Sequence, residues 1–328
     1  MAHSNAPADD LPRLALGTFR VPGGTTFPGL LVDGVVLDVS ALGATTRDLL
    51  ARWDDVRPRL DALAATAADD GSRRALDSLE VLAPVEPRQV VQAGANYRTH
   101  VIDLAVKHTE IRPGQTVEEV RAEVAAMMDR RATHGRPYIF TGLPSAVTGP
   151  YDDVVLPGYS DQHDWELELA AVIGSPAYRV SREEALAHVA AYTIVNDLTT
   201  RDRVFVPEMK EIGTDWFRAK NAPGFLPTGP FLVPADRVGD PQDLRIRLAL
   251  NGEVMQDEST KDMLFGVAAV VSEASQTAQL LPGDLVLTGS PAGNGLHHGR
   301  LLRDGDVMVG TVTGLGVQRN RTVAEVPA

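Results

Sequence analysis

The run DWELELAAVIG at 164–174 alternates with the period of an extended strand. Trp165, Leu167, Leu169 and Ala171 fall on one face, and Glu166, Glu168, Ala170 and Val172 on the other. One face is apolar, while the second opens on two neighbouring carboxylates. Further β-like runs are FPGLLVDGVVLDVS near the N-terminus, QVVQAGANY, the apolar AAYTIVND, and VMVGTVTGLGVQRNRTVAEV near the C-terminus. LRIRLALNGEVMQ alternates on both sides of Asn251-Gly252, a strong two-residue hairpin signal.

Helical spacing predicts a helix over about 46–68, a polar break at ADDGS (68–72), and a second short helix leading to APVEPRQ. TVEE at 116–119 has the form of a capping box, with Thr116 as N-cap and Glu119 three residues on, opening a helix to about residue 134. SREE at 181–184 opens another, and FGVAAVVSEASQTAQLL predicts a third. Two prolines within 82–88 mark a boundary between a small N-terminal α/β domain, 1–85, and a main domain, 86–328. Many short strands and few helices predict an α+β, predominantly β fold.

The 328 residues carry a net charge of -13, which argues against nucleic-acid and anionic-membrane partners and for a small molecule. MAHSNAPADDLPRLALG has no basic region followed by an apolar one, and no run of about 18 apolar residues occurs, so the expected compartment is the cytoplasm. The absence of cysteine removes disulfides, thiolate nucleophiles and Cys-ligated zinc. No Walker A loop, GxGxxG, HExxH or GxSxG is present, and GSPAG at 289–293 places its serine one position early for a nucleophile elbow.

Burying Glu166 or Glu168 without a partner would cost several kcal/mol or more, and Asp197, at the end of TIVND, is a plausible third member of the group. Three carboxylates around one point need a divalent cation, and hard oxygen donors suit Mg²⁺, Mn²⁺ or Ca²⁺. The alternative is a solvated strand face with Asp197 capping a turn. His100 and Asp103 share one face of a helical turn, the arrangement of a carboxylate-oriented general base or of a plain surface pair. Lys220, followed by a Gly- and Pro-rich loop, is either an anion contact or a solvated loop lysine.

Six collinear motifs, GANYRTHVID, DWELELAAVIG, NDLTTRD, K-x(6)-P-T-G-P, LNGEVMQDEST and LPGDLVLTGSPAGNG, resemble the fumarylacetoacetate hydrolase family over about residues 88–326. The resemblance implies a mixed β-sandwich roll, a homodimer, and Mg²⁺, Mn²⁺ or Ca²⁺ held by Glu166, Glu168 and Asp197. It places the water-activating His-x-x-Glu dyad on His100 and Asp103, the polarising lysine on Lys220, and an anionic substrate beside Arg201, Tyr97 and Thr288. Two positions depart from the family pattern: Gly142 stands at or near the lysine of F-x-K-P, and Val204 where a substrate-contacting glutamine is usual.

The activity this implies is metal-dependent hydrolysis of a C–C bond in a β-dicarbonyl, acylpyruvate-like acid. Decarboxylation, hydration or isomerisation at the same site, and a non-catalytic member that retains the fold, are the alternatives. Residues 104–136 are longer than a loop needs. With Val124, Ala125, Met127 and Met128 as an apolar face, they are expected to fold over the metal as a lid and supply part of the pocket, or else to pack as a peripheral helix.

Overall fold

The computed structural model describes residues 11–67, 73–108, 112, 114–208, 211 and 213–326, so the ADDGS break lies outside the described residues. Residues 14–82 build a five-stranded sheet in the order Arg74–Ala75, Val35–Asp38, Thr26–Val32, Leu14–Arg20, Glu80–Leu82. Its tightest turn is Asp33-Gly34, where φ is 44 and 85; positive φ at both positions matches the right-handed twist of a two-residue hairpin. The single helix expected over 46–68 is two, Thr46–Leu50 and Trp53–Thr66, broken at Arg52, whose φ/ψ of -129/37 is not helical. The second short helix is instead a 3-10 turn, Leu76–Ser78, between two short strands.

A central six-stranded sheet runs in the order Val233–Pro234, Val189–Asn196, Leu167–Ile173, Leu285–Leu287, Val90–Gly94, Tyr138–Gly142. A further five-stranded sheet holds Glu253–Ser259, Arg245–Leu250, Val307–Val312, Val317–Ala324 and Val154–Leu156. Its hairpin turns at Asn251 and Gly252 with φ 52 and 88, as the sequence predicts. The fold is α+β and mostly β. Among the described residues no helix is long and apolar enough to cross a membrane.

Strand Leu167–Ile173 is buried on both faces. Leu167, Leu169, Ala171 and Ile173 share one core with Ile246, Leu248 and Met308. Ala170 and Val172 face a second core with Leu16, Leu30, Leu50 and Leu60 from the N-terminal segment. The same alternation aims Glu166 and Glu168 toward this second side, at the end of the strand where packing gives way to a cavity.

Helices Arg98–His108 and Val117–His134 pack on each other through Ile102, Val120, Val124 and Met128. Thr116 and Glu119 form the expected capping box. Positions 120, 124 and 128 recur at i, i+4 and i+8, so Met127 points elsewhere and is 45% exposed. Of 104–136, only Leu104 among the described residues lines the cavity, and it belongs to the first helix. The helix Val117–His134 itself adds no residue to the cavity: its apolar face packs on the neighbouring helix, which is the peripheral-helix alternative.

Candidate metal and active site

Asp197 follows the end of strand Val189–Asn196, and its N–H donates to Glu166 O at 2.8 Å, which sets the two acidic side chains beside one cavity. Glu166, Glu168 and Asp197 each offer an oxygen within 4.8 Å of the others, and all three are buried. The solvated-face alternative is thereby excluded.

Lys220, the last residue of the short helix Trp216–Lys220, is buried rather than a solvated loop lysine. Its Nζ donates to Glu166 Oε2 at 2.7 Å, Asp197 Oδ2 at 2.6 Å and Thr199 Oγ1 at 2.7 Å. Arg201 reaches Glu166 Oε1 at 2.7 Å and Asp164 Oδ2 at 2.7 Å. Asp164 also accepts from the N–H groups of Trp165 and Gly295, tying Arg201 to the start of the short helix Gly295–His298. Gly289 N–H donates to Glu168 at 2.7 Å, and Gln92 Nε2 to Asp197 at 2.6 Å.

Burial disfavours the charged form of each acid, and neighbours decide the result. At Glu166 the Arg201 and Lys220 charges outweigh burial and hold the carboxyl well below its usual range. Burial, reinforced by Asp197 and Glu166, pushes Glu168 well above it. Burial raises Asp197 to about 6 although Lys220 opposes. Lys220 is shifted up, because the charges of Asp197, Glu166 and Glu168 overcome the effect of burial.

Four carboxylates, Asp164, Glu166, Glu168 and Asp197, thus face two cations, Lys220 and Arg201. A divalent cation would balance the remaining charge, and the all-oxygen donor set suits Mg²⁺ or Mn²⁺. The residues fit such an ion, and the raised pKa values of Glu168 and Asp197 express the positive charge they would accept.

The cavity, of about 230 Å³, is lined by these groups, His100, and a wall containing Phe140 and Trp216. Larger clefts of about 560 and 390 Å³ lie elsewhere and bring no such cluster together. His100 lines the cavity, its ring makes no hydrogen bond to a described residue, and it is depressed chiefly by burial, so the ring is neutral near pH 7. Asp103 sits one turn on in the same helix, but its Oδ1 binds Arg121 Nη2 at 2.7 Å, and no hydrogen bond joins it to His100.

Tyr97 and Thr288 are fully buried behind the site and do not line the cavity. Tyr97 packs in the main core, and Thr288 Oγ1 donates to Leu169 O at 2.8 Å. Their expected contact with substrate is corrected accordingly. Val204 is buried at the end of the 3-10 turn Arg201–Arg203, which it caps. At Gly142 a Cβ would stand 2.7 Å from Gln92 Oε1: the glutamine amide occupies the place into which a side chain there would project.

Gln92, Asp164 and Thr199 escaped the sequence reading. Asp164 shares the parity of Glu166 and Glu168, a D-x-E-x-E run that could have revealed it. Gln92 is a polar residue inside an apolar strand, itself a signal of a buried partner.

Residues 89–323 match the family model described as the fumarylacetoacetate (FAA) hydrolase C-terminal domain. The chain belongs to this family. A 2,4-didehydro-3-deoxy-L-rhamnonate hydrolase of Sphingomonas sp. (strain SKA58) is 44% identical over 56% of this chain and 64% of the relative. A mitochondrial oxaloacetate tautomerase of Bos taurus is 40% identical over 57% of this chain and 59% of the relative. In both cases the match spans about three-fifths of the relative's length. The fumarylacetoacetate hydrolase of psychrophilic Exiguobacterium antarcticum superposes with a TM-score of 0.74 at 30% identity, covering 95% of this chain and 100% of that one. Family members of this kind are enzymes, among them hydrolases, isomerases and tautomerases.

Proposed function

We propose that this protein is a metal-dependent hydrolase that cleaves a C–C bond in a β-dicarbonyl, acylpyruvate-like acid. The observation that carries the reading is a neutral His100 facing the same cavity as Glu166, Glu168 and Asp197. Those three carboxylates would hold the ion. A bound Mg²⁺ or Mn²⁺ supplies positive charge for the oxygens of a 2-oxo acid as enolate character develops.

His100 takes a proton from water, whose oxygen adds to the distal carbonyl. The C–C bond then breaks with its electron pair passing to the pyruvate unit, and protonation of that carbon releases pyruvate and a carboxylic acid. Lys220 and Arg201 keep Glu166 ionised and oriented and add positive charge beside the reacting oxygens.

Isomerisation or tautomerisation is the second reading. It is favoured by the tautomerase relative and by the engagement of Asp103 with Arg121, which leaves His100 as a lone base suited to proton transfer. Turnover of acylpyruvates, oxaloacetate and 2-hydroxydienoates with and without Mg²⁺ tests both. Release of pyruvate from acylpyruvates supports hydrolysis, keto–enol exchange alone supports the second reading, and no metal-dependent activity sinks both.

A further inference from the structure

The cavity has two unlike halves. Beside the carboxylates, the rings of Phe140 and Trp216 stack with centroids 4.9 Å apart and planes 19° apart, and Tyr138 continues the row 6.0 Å from Phe140. Trp216 Nε1 donates to the Tyr138 hydroxyl at 2.8 Å, which in turn lies 3.3 Å from Thr214 Oγ1. The polar atoms of the wall satisfy one another, so it presents flat apolar faces. The row ends at Lys220, whose Nζ is 5.7 Å from the Trp216 centroid and 5.9 Å from that of Phe140.

These rings remain partly open to solvent: Tyr138 is 44% exposed, and Phe205, also at the cavity, 67%. Apolar area left wet inside a cavity is area a ligand gains by covering, and concave sites are characteristically apolar with a few placed polar groups. Charge points the same way. The cations lining the cavity among the described residues, Lys220 and Arg201, are both committed to carboxylates, and His100 is neutral. A second carboxylate on the substrate would meet the aromatic wall with no free counter-charge and lose its hydration there.

We propose that the substrate is a mono-anionic 2-oxo acid whose distal group is uncharged and planar, an aryl or similar unsaturated substituent that lies against Trp216 and Phe140. This rests on the 2-oxo acid reading above and names its substrate class. The test separates the two. Titration calorimetry with Mg²⁺ compares 2-oxo-4-phenylbutanoate with 2-oxoglutarate, which share the 2-oxo acid head but lack the 4-oxo group needed for cleavage, so binding is read without chemistry.

The phenyl ligand should bind at least about tenfold more tightly, and Trp216→Ala should remove most of that preference while leaving 2-oxoglutarate within about twofold. Phe140→Leu should reduce it in the same direction and serves if Trp216→Ala does not fold. Equal or tighter binding of 2-oxoglutarate, a preference unchanged in both variants, or no binding of either ligand overturns the proposal. Failure of the hydrolase reading shows separately, as absence of acylpyruvate turnover by a protein that still prefers the phenyl ligand.

Discussion

Replacing Lys220 with methionine keeps volume and removes the ammonium that neutralises Glu166 and Asp197. Breaking a buried ion pair from one side costs about 3–5 kcal/mol, because the remaining charge is left without compensation. Protonation limits that cost. Asp197 is already raised to about 6 with Lys220 present, so in the variant it will take up a proton near neutrality. A carboxyl that ionises at about 3.9 in the unfolded chain costs roughly 1.4 kcal/mol per pH unit to hold protonated, about 4 kcal/mol at pH 7; wild type, with Asp197 at about 6, already bears about 3 of these, so the loss through Asp197 is held to about 1.4 kcal/mol.

A carboxyl with a raised folded pKa destabilises above its unfolded pKa, and the penalty fades as pH falls. Wild type bears the same penalty once its own Asp197 is protonated, so the loss should fall close to zero at pH 5. Urea unfolding of wild type and Lys220→Met in EDTA, at both pH values, measures it. Saturating Mn²⁺ should then stabilise the variant more than the wild type, since the ion replaces the missing charge. No loss at pH 7, or a loss as large at pH 5 as at pH 7, would refute the electrostatic account of the cluster.

Glu168→Gln should abolish Mn²⁺ binding by calorimetry while leaving the metal-free fold as stable or more so, because burial already disfavours the charge at Glu168; unchanged affinity removes it from the ligand set. His100→Ala should lower kcat by about 10² or more with metal affinity near wild type, and wild-type kcat in the variant would disprove the base assignment. Since burial depresses His100, the neutral base persists to pH below the ordinary histidine range, and the acidic limb of kcat/KM should lie there; a limb above that range counts against it. Gln92→Leu should weaken Mn²⁺ binding about 10–100-fold through loss of the hydrogen bond to Asp197, and an unaltered titration would show that the amide does not orient the ligand.

What the sequence determined is what neighbours along the chain decide. Alternation across 164–174 separated a core face from a carboxylate face because side chains of a strand repeat every two residues. The capping boxes at Thr116 and Ser181 and the Asn251-Gly252 turn are closed by residues within three positions of each other. Six collinear motifs carried the family, and with it the expectation that Glu166, Glu168 and Asp197 converge. The break at Arg52 escaped, because helical spacing is continuous through a residue whose backbone leaves the helix.

Tertiary structure alone decided which groups meet. The insertion helix gives Asp103 its partner Arg121, where spacing pointed to His100. The Gln92 amide reaches an aspartate 105 positions away, in space that a side chain at Gly142 would fill. Lys220, 54 positions from Glu166, sits among buried acids rather than in water. Tyr97 and Thr288 belong to recurring motifs yet point into the core. Side-chain period specifies a face, whereas pairing of charges across that face depends on which distant element is packed against it, and no local pattern encodes that.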